Sequence, residues 1–187
     1  MPRLWNCLMW GWLALEIFVA VLTRTRQGGG KVQDRGSMLL LWIVIVTSMT
    51  GSAWVREAVN ATRIHDADWL RPLGRAVLIA GLAIRLAAIF TLGKSFSANV
   101  AIRTEQKVQR TGLYRVVRHP SYLGLLLIFL AVGLHARNWL SLAVMIVPTT
   151  LALLYRIRIE ESALLAHFGE DYAAYSRETK RLIPGVY

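Results

Sequence analysis

Cysteine and acidic residues are both scarce in this sequence. Cys7 is the only cysteine, which excludes an intrachain disulfide and a metal site built from several cysteines. Only 11 Asp and Glu residues accompany 22 Lys and Arg residues, so the formal charge is +11. The sequence also lacks a Gly-x-Gly-x-x-Gly motif, so the dinucleotide-binding βαβ unit that this motif marks is not predicted.

Hydrophobic residues, in contrast, make up 55% of the chain and are concentrated in five runs. A helix needs about 20 apolar residues to cross a bilayer core, and no strand-like alternation competes with these runs. We therefore predict an all-α, polytopic membrane protein with about five transmembrane helices and a C-terminal amphipathic cytoplasmic helix. The runs are Leu4–Leu22, Met38–Val55, Leu73–Leu92, Tyr122–Leu134 and Trp139–Tyr155.

The basic residues lie mostly between the apolar runs. With five spans, fifteen of the 22 fall on the side of the 23–37 loop, the 93–120 loop and the segment after Tyr155, and six fall on the other side. Because basic loops stay in the cytoplasm, we expect the N-terminus outside and the C-terminus in the cytoplasm. The same pattern favours an anionic bilayer surface, rather than nucleic acid, as the partner of the positive charge.

The fourth run is short, since about 13 residues cover only roughly 20 Å along a helix. It is followed closely by the fifth run, and so tight a connection predicts an antiparallel helical hairpin. A short span that starts at His119-Pro120 implies that this end lies below the level of the lipid headgroups. Pro148 predicts a kink in the fifth run.

Polar and aromatic side chains cluster at the start of the fourth run. Pro120 suits the first turn of a helix, and His119 before it lies where backbone N–H groups favour anions. Tyr114 and Tyr122 offer aromatic faces suited to a purine or to a sulfonium cation. The alternative is an ordinary interfacial belt of Tyr and His residues.

A second polar cluster follows the fifth run. Arg156 and Glu160 are four residues apart and share one face of a predicted helix. They form either a surface salt bridge, worth about 0.3–0.5 kcal/mol, or a site in which the guanidinium binds a substrate carboxylate. Apolar residues continue beyond them at helical spacing and predict one amphipathic helix. They are Leu164, Phe168, Tyr172 and Tyr175.

Four motifs resemble, in order and spacing, those of the isoprenylcysteine carboxyl methyltransferase family. The resemblance covers about residues 85–187, and the first two spans match only as hydrophobic segments. The motifs are Leu92-Gly93-Lys94-Ser95-Phe96-Ser97, Thr111-Gly112-Leu113-Tyr114, Arg118-His119-Pro120-Ser121-Tyr122-Leu123-Gly124, and Glu160-Glu161 with Phe168-Gly169, Tyr172, Tyr175 and Pro184.

The resemblance implies an integral membrane methyltransferase that uses S-adenosylmethionine. The chain would be one domain, 1–187, with a two-span region at 1–72 and a cofactor-binding and catalytic core at 73–187. Arg156 would orient the acceptor and Glu160 would hold the donor, both as catalytic residues. The implied donor-binding residues are Asn99, Gln106, Lys107, Val108, Gln109, Tyr114, His119, Pro120, Ser121, Tyr122 and Glu160. Isoprenylcysteine enzymes commonly carry His at the position of Gln106.

The acceptor is expected to be lipophilic or amphipathic, and Arg156 favours an isoprenylcysteine-like carboxylate. A phospholipid amine and a small thiol are alternatives within the same class. Outside it, the chain would be an NADPH-dependent membrane reductase of related architecture, or a non-catalytic bundle. For the methyltransferase we expect an active site on the cytoplasmic side, where a soluble donor is available.

Charged residues also occur inside two predicted spans. Glu16 lies in the first and Arg85 in the third, where a charge is costly in lipid. Either these two charges have a functional role, or they simply pair with each other inside the bundle. His65, Asp66 and Asp68 lie in a loop on the predicted outer side, so we expect solvated polar residues there and no metal site.

Overall fold

Six α-helices and one short strand pair make up the part of the fold that the structure describes. The computed structural model describes residues 2–25, 31–32, 36–93, 96, 101–102, 107–185 and 187. The helices are α1 (Pro2–Thr25), α2 (Gly36–Ala58), α3 (Leu70–Leu92), α4 (Pro120–Ala136), α5 (Trp139–Phe168) and α6 (Glu170–Glu178), and the strands are β1 (Lys31–Val32) and β2 (Ala101–Ile102). Short 3₁₀ turns occupy Asn60–Thr62 and Gly112–Arg115.

Each of the five predicted runs forms the body of one helix, which confirms the all-α assignment. Within the described residues, α2, α3 and α5 are long and apolar enough to cross a membrane, and α4 is a shorter apolar helix of 17 residues. Large apolar side chains project outward from the bundle, for example Phe90 at 77% exposure and Leu39 at 64%. Helices that are apolar on their outer surface as well are typical of contact with lipid.

The sequence predicted the start of α5 but not its end. The apolar run stops at Tyr155, whereas the helix continues to Phe168 because the charged residues that follow are good helix formers. Gly169, with a φ of 55° and a ψ of −127°, ends the helix in a positive-φ conformation that favours glycine. The expectation that Leu164 to Tyr175 form one stripe on one helix is therefore wrong, because Tyr172 and Tyr175 belong to α6.

The helices α3 and α4 cross in close contact at two glycines. A Cβ atom on Gly124 would lie 2.7 Å from the carbonyl oxygen of Gly81, and one on Gly81 would lie 2.8 Å from the carbonyl oxygen of Gly124. Small residues of this kind let two membrane helices approach until their backbones touch. Gly124 closes the motif that starts at Arg118, so packing alone accounts for this glycine.

The core of the bundle lies between α2, α3, α4 and α5. Several of its large side chains are fully buried: Leu78, Ile128, Phe129, Met145 and Leu153. The helices α4 and α5 are separated only by Arg137 and Asn138, and they touch again at Gly133 and Leu142, as expected for an antiparallel hairpin. The side chain of Asn138 accepts a hydrogen bond from the Ser141 backbone and caps α5.

The strands β1 and β2 were not predicted. They pair in antiparallel fashion, with Lys31 opposite Ile102 and Val32 opposite Ala101. The pairing joins the loop before α2 to the loop after α3, so both loops lie at the same end of the bundle. This agrees with the alternation of loops that five spans require.

Replacing Gly124 with alanine should destabilise the bundle. The new methyl group would meet the backbone of α3, which cannot move aside as a side chain can, and overpacking of this kind costs about 1–3 kcal/mol. Thermal unfolding in detergent should show a clear drop in midpoint. The matched control is Gly11→Ala on α1, where the added Cβ would contact nothing within 4 Å. Equal midpoints for the two variants would contradict the role of the crossing.

Candidate functional site

The start of α4 lies against the C-terminal half of α5. The Tyr122 hydroxyl donates a hydrogen bond to Glu160 Oε2 at 2.7 Å, and His119 Nδ1 is 3.9 Å from the same oxygen. The rings of His119 and Tyr122 are stacked with centroids 5.6 Å apart. The two polar clusters of the sequence therefore meet at one place.

Arg156 lies at the inner edge of this site. Its side chain is almost fully buried, and the residue is 2% exposed. Its Nε donates to the Tyr122 hydroxyl at 3.1 Å, and its Nη1 donates to Ser37 Oγ on α2 at 2.7 Å. The phenol thus accepts from a guanidinium and donates to a carboxylate, which uses its single proton and fixes its orientation.

Glu161 faces in a different direction from Glu160 and gathers three basic side chains. One of its oxygens accepts from Arg118 Nε at 2.8 Å and lies 3.4 Å from His119 Nε2, while the other accepts from Arg181 Nε at 2.8 Å. Adjacent helical residues point about 100° apart, so the two glutamates serve different surroundings. The sequence pattern assigned no individual role to Arg118, Glu161 or Arg181.

The segment after α6 completes the rim of the site. The Arg118 N–H donates to the carbonyl of Lys180 at 2.7 Å, and the His119 N–H donates to the carbonyl of Arg181 at 3.0 Å. The Arg118 guanidinium also donates to the carbonyls of Ser176 and Thr179. The residues directly before α4 are therefore held by backbone as well as side-chain bonds.

Three buried tyrosines surround the outer part of the site. The Tyr175 hydroxyl donates to the carbonyl of Tyr114 at 2.6 Å, and the Tyr114 hydroxyl reaches the carbonyl of Ala88 at 3.4 Å. Burial raises the pKa of Tyr175 to about 12 and raises the pKa of Tyr114 well above its usual value, so both hydroxyls remain protonated donors even in mildly alkaline solution. The Tyr172 hydroxyl is buried and has no partner among the described residues.

The remaining predicted donor-binding residues fall into three groups. Asn99 and Gln106 lie outside the described residues. Lys107 is exposed and Val108 half-buried, while Gln109 donates from its amide to the carbonyl of Thr91 at 2.9 Å and so lies at the end of α3.

Pro120 and Ser121 form the buried first turn of α4. The hydroxyl of Ser121 accepts a hydrogen bond from Arg85 Nη1 at 2.8 Å. Arg85 in turn forms a buried ion pair with Glu16, and the shortest contact measures 2.5 Å. The pairing interpretation of these two charges is therefore confirmed, and the pair also reaches the site.

Asp68, one of the loop residues considered for a metal, has ordinary ion-pair partners. Asp68 binds Arg137 at 2.5 Å and lies 4.0 Å from Arg71. Within the described part of the chain, no three His, Cys, Asp or Glu side chains are placed so that they could hold a metal ion.

A carboxylate, a buried guanidinium and aromatic faces thus meet at one end of a bundle of membrane-spanning helices. This defines an integral membrane protein whose polar site is built by α2, α4, α5 and the segment after α6. Such an arrangement can bind a cation at Glu160 and a carboxylate at Arg156.

Known proteins are similar to this chain in sequence and in fold. The family model of the isoprenylcysteine carboxyl methyltransferase (ICMT) family matches residues 74–166. Protein-S-isoprenylcysteine O-methyltransferase B of Arabidopsis thaliana is 32% identical over 168 residues, which are 89% of this chain and 85% of the relative. Protein-S-isoprenylcysteine O-methyltransferase of Mus musculus is 26% identical over an alignment of 192 positions, which covers 97% of this chain and 66% of the relative.

A solved structure of the eukaryotic intramembrane Ras methyltransferase ICMT aligns with a TM-score of 0.66 and 27% identity, covering 83% of this chain and 55% of that chain. The chain therefore belongs to the ICMT family and is a membrane methyltransferase. It spans a little over half the length of the solved relative.

Replacing Glu161 with glutamine should loosen the segment after α6. The change leaves Arg118 and Arg181 without their shared carboxylate, and breaking a largely buried ion pair costs about 3 kcal/mol. Limited trypsin digestion should cut faster at Lys180 and Arg181, and the thermal midpoint should fall.

The control for this variant is Glu170→Gln. It also removes a Glu–Arg pair, with Arg177, but both side chains are more than 60% exposed, so the loss should stay below about 1 kcal/mol. Identical digestion rates for the two variants would show that Glu161 does not hold the segment.

Proposed function

We propose that this chain uses S-adenosylmethionine to methylate the carboxylate of an isoprenylcysteine-like acceptor. The observation that carries the proposal is the Tyr122 hydroxyl, which bonds both Arg156 and Glu160. A group suited to a cationic donor and a group suited to an anionic acceptor are thereby held side by side. The curated relatives are named for O-methylation of isoprenylcysteine proteins, which agrees with this pairing.

The residues at the site fit the donor. Glu160 is partly accessible, with its side chain 31% exposed, and lies beside the stacked faces of His119 and Tyr122. A sulfonium is attracted to carboxylates and to aromatic faces. The buried hydroxyl of Tyr172, which has no partner among the described residues, offers a further hydrogen bond to a bound molecule.

We assign donor binding to the residues around this turn. His119, Pro120, Ser121, Tyr122 and Glu160 would form the inner surface, with Ser121 contributing through its place in the turn. The outer surface would be formed by Asn99, Gln106, Lys107, Val108, Gln109 and Tyr114. Asn99 and Gln106 stay assigned on the family resemblance alone.

The bound donor supplies an electrophilic methyl group on a positively charged sulfur, and transfer to a carboxylate cancels one positive and one negative charge. A site that excludes water favours such a reaction. Loss of hydration raises the free energy of the charged sulfonium and carboxylate more than that of the neutral thioether and ester that they form. The protein then needs no strong base. Its tasks are to align the two molecules, which can lower a barrier by about 7–11 kcal/mol, and to keep water out.

Arg156 would orient the acceptor. Its guanidinium is fixed by Tyr122 and by Ser37, so little freedom is left to lose when it binds a carboxylate in a two-pronged contact. The outward surface of the bundle is apolar, so a prenyl chain can remain in lipid while the carboxylate reaches Arg156.

The site would open to the cytoplasm, with the N-terminus outside. The excess of basic residues in the loops at the same end of the bundle as the site supports this orientation. Residues 1–72 and 73–187 would act as one domain, since Ser37 on α2 bonds Arg156 on α5.

The proposal is tested with the purified protein in detergent, labelled S-adenosylmethionine and an N-acetylated, S-prenylated cysteine. Label should enter the cysteine compound as a methyl ester, and S-adenosylhomocysteine should raise the thermal midpoint whereas NADPH should not. The matched control is the methyl ester of the same compound, whose carboxylate is blocked. Labelling of a phospholipid amine or of a small thiol instead would overturn the carboxylate assignment.

Arg156 and Glu160 should affect different substrates. Arg156→Ala should raise the KM for the acceptor by more than tenfold and change the affinity for S-adenosylhomocysteine little, since a charged hydrogen bond is worth about 1.5–3 kcal/mol. Glu160→Ala should do the reverse. Arg158→Ala, on the same helix but exposed, is the control and should leave both values unchanged. Equal losses of donor and acceptor binding in both variants would refute the division.

A further inference from the structure

A buried ion pair lies directly behind the first turn of α4. Glu16 on α1 is 5% exposed and Arg85 on α3 is 7% exposed. Arg85 Nε and Nη2 donate to the two oxygens of Glu16 at 2.5 and 2.6 Å, and the Trp12 indole donates to the same carboxylate at 3.1 Å. Two of the three guanidinium nitrogens are thus used by α1.

The third nitrogen of Arg85 is used by α4. Its Nη1 donates to Ser121 Oγ at 2.8 Å and to the Ser121 carbonyl at 3.2 Å. The glycine crossing places it there, because a Cβ on Gly124 would lie 2.8 Å from the backbone nitrogen of Arg85. Arg85 therefore holds the residue that directly precedes Tyr122.

We propose that Arg85, fixed in place by Glu16, is a positioning residue for the methyl donor. By holding Ser121 it sets the direction of Tyr122, whose hydroxyl must reach both Arg156 and Glu160. The proposal rests on the donor site described above. It also gives α1, which lies outside residues 74–166 matched by the family model, a part in building that site.

If Arg85 and Glu16 had a purely structural role, variants that keep the fold would also keep the affinity for S-adenosylhomocysteine. Replacing a buried ion pair by apolar residues of similar volume is often neutral or stabilising, whereas removing one partner leaves a costly unpaired charge. The double variant E16M/R85M should therefore fold, and so should R85K, which keeps the charge opposite Glu16. Neither variant can join Ser121 to Glu16. The double variant lacks both charged groups, and the lysine of R85K lacks the planar fork of arginine.

The experiment compares three proteins in detergent: the parent, R85K and E16M/R85M. The readouts are the thermal midpoint without ligand, the dissociation constant for S-adenosylhomocysteine, and kcat and KM for methyl transfer. Both variants should unfold within a few degrees of the parent but bind S-adenosylhomocysteine about tenfold more weakly, because a hydrogen bond from a charged group has been lost from the turn.

The matched control is Ser141→Ala, which removes a buried hydroxyl at the other end of the bundle. Ser141 donates to the Ser52 carbonyl at 2.8 Å, and the first turn of α5 lies roughly 22 Å along the helix from Arg156. This variant should lose stability but keep the parent's affinity for S-adenosylhomocysteine.

Variants that fold and bind S-adenosylhomocysteine as tightly as the parent would overturn the positioning role alone. A parent protein that neither binds S-adenosylhomocysteine nor transfers methyl groups would overturn the proposed function and this inference together. The two failures are therefore distinguishable in one set of measurements.

Discussion

The close contact between α3 and α4 is the constraint on which the site depends. Gly81 and Gly124 bring the two backbones together, and no larger residue fits at either position without a shift. This close contact places Arg85 next to the first turn of α4 and fixes the position of Tyr122 relative to α3. The hydrogen bonds to Arg156 and Glu160 then require only that α5 pass at the right distance.

Polar groups inside a membrane must find partners within the protein, since lipid offers none. Around the site, the described residues form two such groups of partners. Glu16, Arg85 and Ser121 are joined in the deeper group, and Arg118, Glu161 and Arg181 are joined at the rim. The partly accessible Glu160 lies beside the rim group, 3.9 Å from the buried His119. A site of this kind keeps its charged residues rigid while one carboxylate stays available.

The sequence was sufficient for the helices because hydropathy is a local property. Each apolar run became a helix, and the tight connection before Trp139 gave the hairpin. The end of α5 was not predictable from hydropathy, because a helix continues through charged residues once it leaves lipid, and only Gly169 stops it. The β1–β2 pairing depends on two loops meeting in space, which two-residue strands do not reveal.

The site was predictable in part, because the motifs around His119 and Glu160 resemble a known family. What the residues alone did not show is how adjacent glutamates divide their partners, since that depends on the rotation of α5. Ser37 was missed because one serine at the start of an apolar run carries no pattern. The links from Arg85 to Ser121 and from Arg181 to Glu161 join distant parts of the chain.

The backbone bonds from Arg118 and His119 to Lys180 and Arg181 also bear on the order in which the protein matures. The apolar helices α2 to α5 precede residue 180, so they can enter the membrane during translation before the segment after α6 is made. Until that segment is synthesised and binds to Arg118 and His119, the rim of the site is incomplete. Biosynthesis thus separates the insertion of the helices, which comes first, from the completion of the rim of the polar site, which waits for Lys180 and Arg181.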